Sequence, residues 1–355
     1  MQRSYYLDLA ARGHRTPVGA DLVLHEKPDP DAVKRDGEAL GQVIAQAAQR
    51  YDSPLAIPLM DLTVEKEAML QALGVADEEI DNYHFAAPPT DEQFAVVRQT
   101  CDGRSTVRMR ANCDATAYVR DHCPDMLPIG MSIGPFSLLV KLMEDAIMAV
   151  YFAGAGMSEA DEPSVAIARR CLELGEQVIH ASVRAQVAAG AKAMFVCEPA
   201  ANIVYLSPHQ WDTGVFDTFV MQPNRRLREL LAELDCDLIL HDCGELTDDM
   251  VRELATLDPA VFSLGASRTL WEDARLIPQT TVLFGNLPSK QFYSESQMPA
   301  EKVEQLTLEL LEKMAATGHP FILGSECDVL SVAGSEELLK RKVELMLACG
   351  AGSRR

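Results

Sequence analysis

Short apolar runs, each bounded by turn-forming residues, recur along the chain with helix-period patterns between them. Eight of these runs read as strands: "GADLVLH", "LAIPLMD", "LPIGMSIG", "AMFVCEP", "LILHDCG", "AVFSLGA", "TVLFGNL" and "FILGSEC". Runs this short and this apolar suit strands covered on both faces of a parallel sheet. The intervening pattern is helical: Val303, Leu306, Leu310, Leu311 and Met314 recur at three- and four-residue steps. A longer helix is predicted from near Pro163 towards Gly190, and Ser335 is placed to cap a last helix that ends at Gly350. Eight alternations of strand and helix predict an α/β fold, a (β/α)8 TIM barrel rather than an open doubly wound sheet.

Residues 26–50 and 75–124 are long, charged and partly helical, and do not belong to a minimal barrel. They are expected to be N-terminal and inter-strand helical embellishments, a cap or insertions over one end. No internal repeat and no Gly/Ser linker divides the chain, so residues 1–355 are expected to form a single domain. With 53 acidic against 32 basic residues the net charge is −21, which repels nucleic acid and anionic membranes. The N-terminus "MQRSYYLDLAARGHRTP" is polar and charged, and no run of about 18 apolar residues follows, so a cytoplasmic protein is expected. Nine cysteines, an odd number without regular spacing, read as reduced thiols. Cys171 and Cys349 sit in helical patterns, where a free cysteine behaves as a small core hydrophobe.

Three polar residues stand out against this apolar background. In a barrel the functional side chains gather at the carboxyl ends of strands, and His241, Cys243 and Cys327 each end an apolar run, the first two on the fifth strand and the third on the eighth. Two thiols and an imidazole are a donor set for Zn²⁺, with a fourth position left open where the site is catalytic. The competing reading is a core thiol beside a hydrogen-bonded histidine. His14, His25, His84, His122, His180, His209 and His319 have no ligand partner at suitable spacing. Neither a G-x-x-x-x-G-K-[ST] stretch nor a G-x-G-x-x-G after a strand is found, so nucleotide chemistry has no support.

Around these residues the chain resembles the uroporphyrinogen decarboxylase superfamily. Within it the resemblance is to the zinc-dependent corrinoid methyltransferases similar to methylcobamide:coenzyme M methyltransferases. It is carried by "MDLTVEKEAMLQALG", "MSIGPFSLLVKLM", "ILHDCGELTDDM", "FGNLPSKQF" and "FILGSECDVL", and runs from about residue 50 to the end. The resemblance implies that His241, Cys243 and Cys327 bind zinc, and that a methyl group moves between a corrinoid and a zinc-activated thiol. It equally allows the reverse traffic, from an O- or S-methyl compound to corrinoid. The decarboxylase branch carries an Arg-Gln-Ala-Gly-Arg stretch near its N-terminus, and here the corresponding region reads "PVGADLVLHEKPDPDA", without arginines. Decarboxylation is therefore disfavoured, and a non-catalytic binding protein is argued against by the intact ligand trio. The D-x-H-x-x-G signature of cobalamin-binding modules is missing, so a methylated corrinoid is expected on a separate partner protein, with a small thiol or methylated small molecule as co-substrate and oligomerisation left open. Glu198, after the fourth strand, is the first candidate for a fourth zinc ligand and Glu326 the second, with a helix cap the competing role for Glu198. By strand alternation Cys197 is expected to face the wall. Asn286 and Asp61, at the ends of the seventh and second strands, are candidates for substrate contact or for support of the ligands, against ordinary turn and cap roles.

Overall fold

The structure, a computed structural model, describes residues 3–350. Seven of the eight expected strands form: β1 (Leu55–Ala56), β2 (Leu127–Ile133), β3 (Ala193–Cys197), β4 (Asp237–Asp242), β5 (Val261–Leu264), β6 (Val282–Leu287) and β7 (Phe321–Ser325). Each is parallel to the next, in chain order, as one curled sheet. The exception is the first expected strand. "GADLVLH" folds as the short helix Ala20–Leu24, all five residues of which are buried. A short apolar run satisfies a buried helix as well as a buried strand, and periodicity cannot separate them. The segment just before it meets the sheet instead, through isolated parallel bridges from Arg15 to Leu323 and from Val18 to Asp328. Pro17 lies between those bridges and has no N–H to give to a ladder. The ladders therefore define a seven-stranded, barrel-like α/β sheet, not the eight-stranded closed barrel that the sequence suggests.

Strand alternation sorts the core into two bodies. Inside the curl lie Ile129, Met131, Phe195, Cys197, Ile239, Val261 and Phe284, while Met194, Val196, Leu240 and Phe262 pack outward against the helices. The inner body is closed at the strand-start end by the helix Arg3–Ala11, whose Tyr6 and Leu9, three residues apart, are buried in it. Arg3 anchors this helix by donating to the carbonyls of Thr280 and Asp258, in the loops that precede β6 and β5. A segment read as merely polar thus contributes a plug, because one apolar stripe on a short helix is enough. Residues 26–50 hold the helix Gly37–Arg50, and residues 75–124 the helices Asp91–Thr100 and Val107–His122. The first and last of these pack on each other and on β1 and β2. The long helix runs from Pro163 to Ala189 and stops at Gly190, whose φ of 126° suits a residue without a side chain. The last helix is Glu336–Ala348; Ser335 stands at its start, but its side chain makes no capping bond.

One buried acid ties three layers together. Glu65, near the start of the helix Val64–Ala72, accepts hydrogen bonds at Oε1 from Ser132 on β2 (3.1 Å) and Ser182 on the long helix (3.0 Å). Its Oε2 is buried without a partner. Burial, only partly offset by the two hydroxyls, raises its pKa from 4.5 to about 7. An acid with a raised folded-state pKa stabilises fully below its unfolded pKa, and that contribution fades as pH climbs from about 4.5 to about 7. Glu65→Gln removes the charge and keeps the shape. The variant should match the natural protein at pH 4.5 and exceed it at pH 8 by up to roughly 3 kcal/mol, measured by urea unfolding at both pH values. Equal stability at pH 8 would show that Glu65 ionises without penalty.

Candidate metal centre at the strand ends

His241 lies on β4 in register with Cys197 on β3 and Ser263 on β5, on the face that lines the curl. Its side chain is fully buried, and Nδ1 lies 2.9 Å from Ser263 Oγ. Nε2 is buried and has no partner. A hydrogen bond from Nδ1–H to the serine oxygen leaves Nε2 with a free lone pair, the arrangement in which an imidazole binds a metal. Two residues on, Cys243 falls on the same side, and Cys327 reaches it from just beyond β7, with 3.9 Å between the sulfurs. The three ligand atoms of His241, Cys243 and Cys327 all lie within 4.8 Å of one another. Asp242, between two of them, is turned to the loop: Oδ1 accepts from Gly244 N (2.8 Å) and its carbonyl from Gly265 N (3.1 Å). Gly265 is required there by space, since a Cβ would sit 2.7 Å from the Cys243 Cα.

The thiol pair is electrostatically uneven. Its shared hydrogen bond, reinforced by His241 and Lys290 against the effect of burial, pushes the Cys243 thiol well below its ordinary pKa. The same hydrogen bond drives Cys327 upward, helped by burial and by the charge of a neighbouring thiolate. A divalent cation would relieve this repulsion and let both ionise. Burial works to lower the pKa of Lys290, but the neighbouring sulfurs and Glu326 outweigh it and the pKa is raised. Sequence reasoning missed Ser263, Lys290 and Met60, whose sulfur lies 3.7 Å from that of Cys327. Lys290 stood inside "FGNLPSKQF", Ser263 was the lone polar residue of "AVFSLGA", and Met60 opens "MDLTVEKEAMLQALG" at the end of the run "LAIPLMD".

The structure brings the His/Cys trio together and leaves the carboxylate candidates outside it. Glu198 is fully buried, with Oε1 accepting from Phe136 N (3.0 Å) and Asn224 Nδ2 (2.8 Å), and Oε2 from Ser137 N (2.8 Å). It serves the start of the helix Pro135–Leu142, not the sulfur pocket. The phase expected at the end of β3 is reversed: Cys197 lines the curl, 3.4 Å from the Met131 sulfur, and Glu198 turns to the helices. Glu326 accepts from the amides of Ala266 (3.2 Å) and Lys290 (3.3 Å), bracing two loops around the site. Asn286 donates to the carbonyls of Gly265 and Arg268, both at 2.8 Å, and so fixes the loop behind Cys243. Asp61 accepts from Thr63 Oγ1 (2.7 Å) and pairs with Arg108. Burial works to raise its pKa, but Arg108 and Thr63 prevail and hold it below the ordinary carboxylate value.

Fold and site together define a barrel-like α/β protein with a candidate His/Cys metal centre at its strand ends. The chain belongs to the uroporphyrinogen decarboxylase (URO-D) family, whose profile matches residues 23–344. Among solved structures it is similar to a methyltransferase from Methanosarcina mazei, with a TM-score of 0.66 and 17% sequence identity over 96% of this chain and 97% of that one. At that identity the likeness speaks for the fold. Among curated proteins nothing matches the sequence. No helix among the described residues is long and apolar enough to cross a membrane.

Proposed function

We propose that the protein is a zinc-dependent methyltransferase in which His241, Cys243 and Cys327 hold the metal, and that it moves a methyl group between a corrinoid on a separate protein and a small thiol. The observation that carries this is a His241 whose ring offers a ligand atom within 4.8 Å of two thiols, and whose Nε2 is buried without a partner, in a chain of the URO-D family. The fold likeness to a methyltransferase is consistent with it. Zinc held by two thiolates and a neutral imidazole is formally neutral and, when bound, lowers the pKa of an added thiol while leaving its sulfur electron-rich. The chain's own groups prepare that chemistry. Ser263 holds the His241 tautomer, Glu326 and Asn286 brace the loops that present the cysteines, and the Lys290 ammonium offsets thiolate charge at the mouth. The demethylase direction, in which the metal polarises a methylated heteroatom, uses the same donors.

The test supplies the zinc-loaded protein with methylcobalamin and a panel of thiols, and separately with Co(I) cobalamin and methyl ethers or thioethers. Turnover in the first assay alone supports thiol methylation; turnover in the second alone reverses the direction. Transfer in neither, by protein carrying one zinc per chain, would sink the reading. Thiol binding carries its own expectation. A free thiol with a pKa near 8.5 is mostly protonated at pH 7, so binding to the zinc form should release about one proton and binding to the metal-free form almost none. Calorimetry in two buffers of different ionisation enthalpy reads that number; no release at pH 7 would favour the demethylase direction.

A further inference from the structure

We infer that Met60 is the fourth donor of this centre in the resting protein, and that its thioether gives way to the incoming substrate sulfur. The inference rests on the zinc reading above and concerns the position that reading leaves open. Three sulfurs form a chain: Met60 Sδ lies 3.7 Å from Cys327 Sγ, which lies 3.9 Å from Cys243 Sγ. A tetrahedron of metal–sulfur bonds about 2.3 Å long has edges of about 3.8 Å, and both spacings match such an edge. The carboxylates that would compete are engaged elsewhere. Glu198 is bound by three donors of the helix layer and Glu326 by two loop amides. Asp242 accepts from Gly244 and Asp328 from the Met60 amide; each keeps one buried oxygen without a partner, but neither belongs to the ligand group.

Met60 is also built to be released. Its backbone is held on both sides, by the bond from its N–H to Asp328 Oδ2 (3.3 Å) and by the Asp61–Arg108 pair one residue on. Its side chain is half-buried and has three rotatable bonds, so the sulfur can swing while the chain stays in place. A thioether is soft enough for a thiolate-rich site and carries no charge, so it leaves the centre neutral. In the exchange the metal–thioether contact would break, the substrate thiol would lose its proton to the buffer, and its sulfur would take the place that Met60 gives up. No oxidant or reductant is needed.

X-ray absorption at the zinc edge distinguishes the possibilities on the full chain. Resting protein with one zinc per chain should show three sulfur and one nitrogen neighbours. Met60→Leu, which keeps the apolar volume, should show two sulfurs with two lighter atoms and regain a third sulfur when 2-mercaptoethanol is added. Cobalt substitution gives a second readout, because loss of one sulfur should shift the visible bands. Two sulfurs in the resting natural protein, or three retained in Met60→Leu, would overturn the assignment and make Met60 a packing residue that touches Cys327. A protein that binds no stoichiometric zinc would overturn the centre itself, and Met60's role with it.

Discussion

Replacing Cys243 or Cys327 with serine, or His241 with alanine, should take the zinc content from about one per chain to near zero and lower methyl transfer on the order of a thousandfold or more. The magnitude follows from the small size of the donor set. With only three strong donors in the proposed set, losing one would remove a large share of the binding energy and leave buried polar atoms such as His241 Nε2, which has no other partner, without a metal. Ser263→Ala should fall between these extremes. It leaves all three donors but frees the imidazole to take the wrong tautomer, an effect worth about 10- to 100-fold in metal affinity. Cys171→Ala and Cys349→Ala are the controls, since Cys171 is buried in the long helix and Cys349 half-buried beside the last one. Metal analysis of folded protein, with circular dichroism on the same samples, checks the series. Equal loss in the controls would mean that zinc content only follows folding, and the ligand assignment would fail.

The convergence of the His/Cys trio was legible because His241 and Cys243 are two residues apart at the end of one apolar run, a spacing that a strand turns into a shared direction. Cys327 was legible for the same reason at the end of β7. The residues that were missed act across the sheet. Ser263 meets His241 only through the β4–β5 register, and Met60 meets Cys327 across 267 residues. Asp61 was read as a candidate for substrate contact or a cap, and its pairing with Arg108 was missed because Arg108 lies 47 residues away on a helix whose packing the sequence does not display. The first strand was misread because a short apolar run does not reveal its backbone, and the phase of Cys197 and Glu198 because alternation says that neighbours face opposite sides but not which side faces inward. Periodicity carried seven strands and the long helix. It carried nothing about which side chains touch across the fold.

Glu198 is the point at which that limit has the largest consequence for stability. Glu198→Ala should cost about 3–5 kcal/mol of unfolding free energy, because three donors lose one acceptor: the first-turn amides of Phe136 and Ser137, and Asn224 Nδ2. Two of these belong to a helix that follows β2 at the strand-end face, so the damage lies where β2, β3 and the helix Gln222–Glu233 meet. Glu198→Gln should also destabilise, since an amide nitrogen cannot accept from the donors that surround it. The site has no spare room: a Cβ at Gly134 would stand 2.1 Å from the Glu198 carboxyl carbon, so Gly134→Ala should displace the carboxylate and lose stability in the same way. Urea unfolding gives the free energies, and metal analysis of the fraction that remains folded gives the discriminating result. A helix-start acid leaves zinc at about one per folded chain in all three variants. If Glu198→Ala instead kept its stability and lost its zinc, the carboxylate would be a ligand after all, and the hydrogen bonds to Phe136, Ser137 and Asn224 would describe only the metal-free protein.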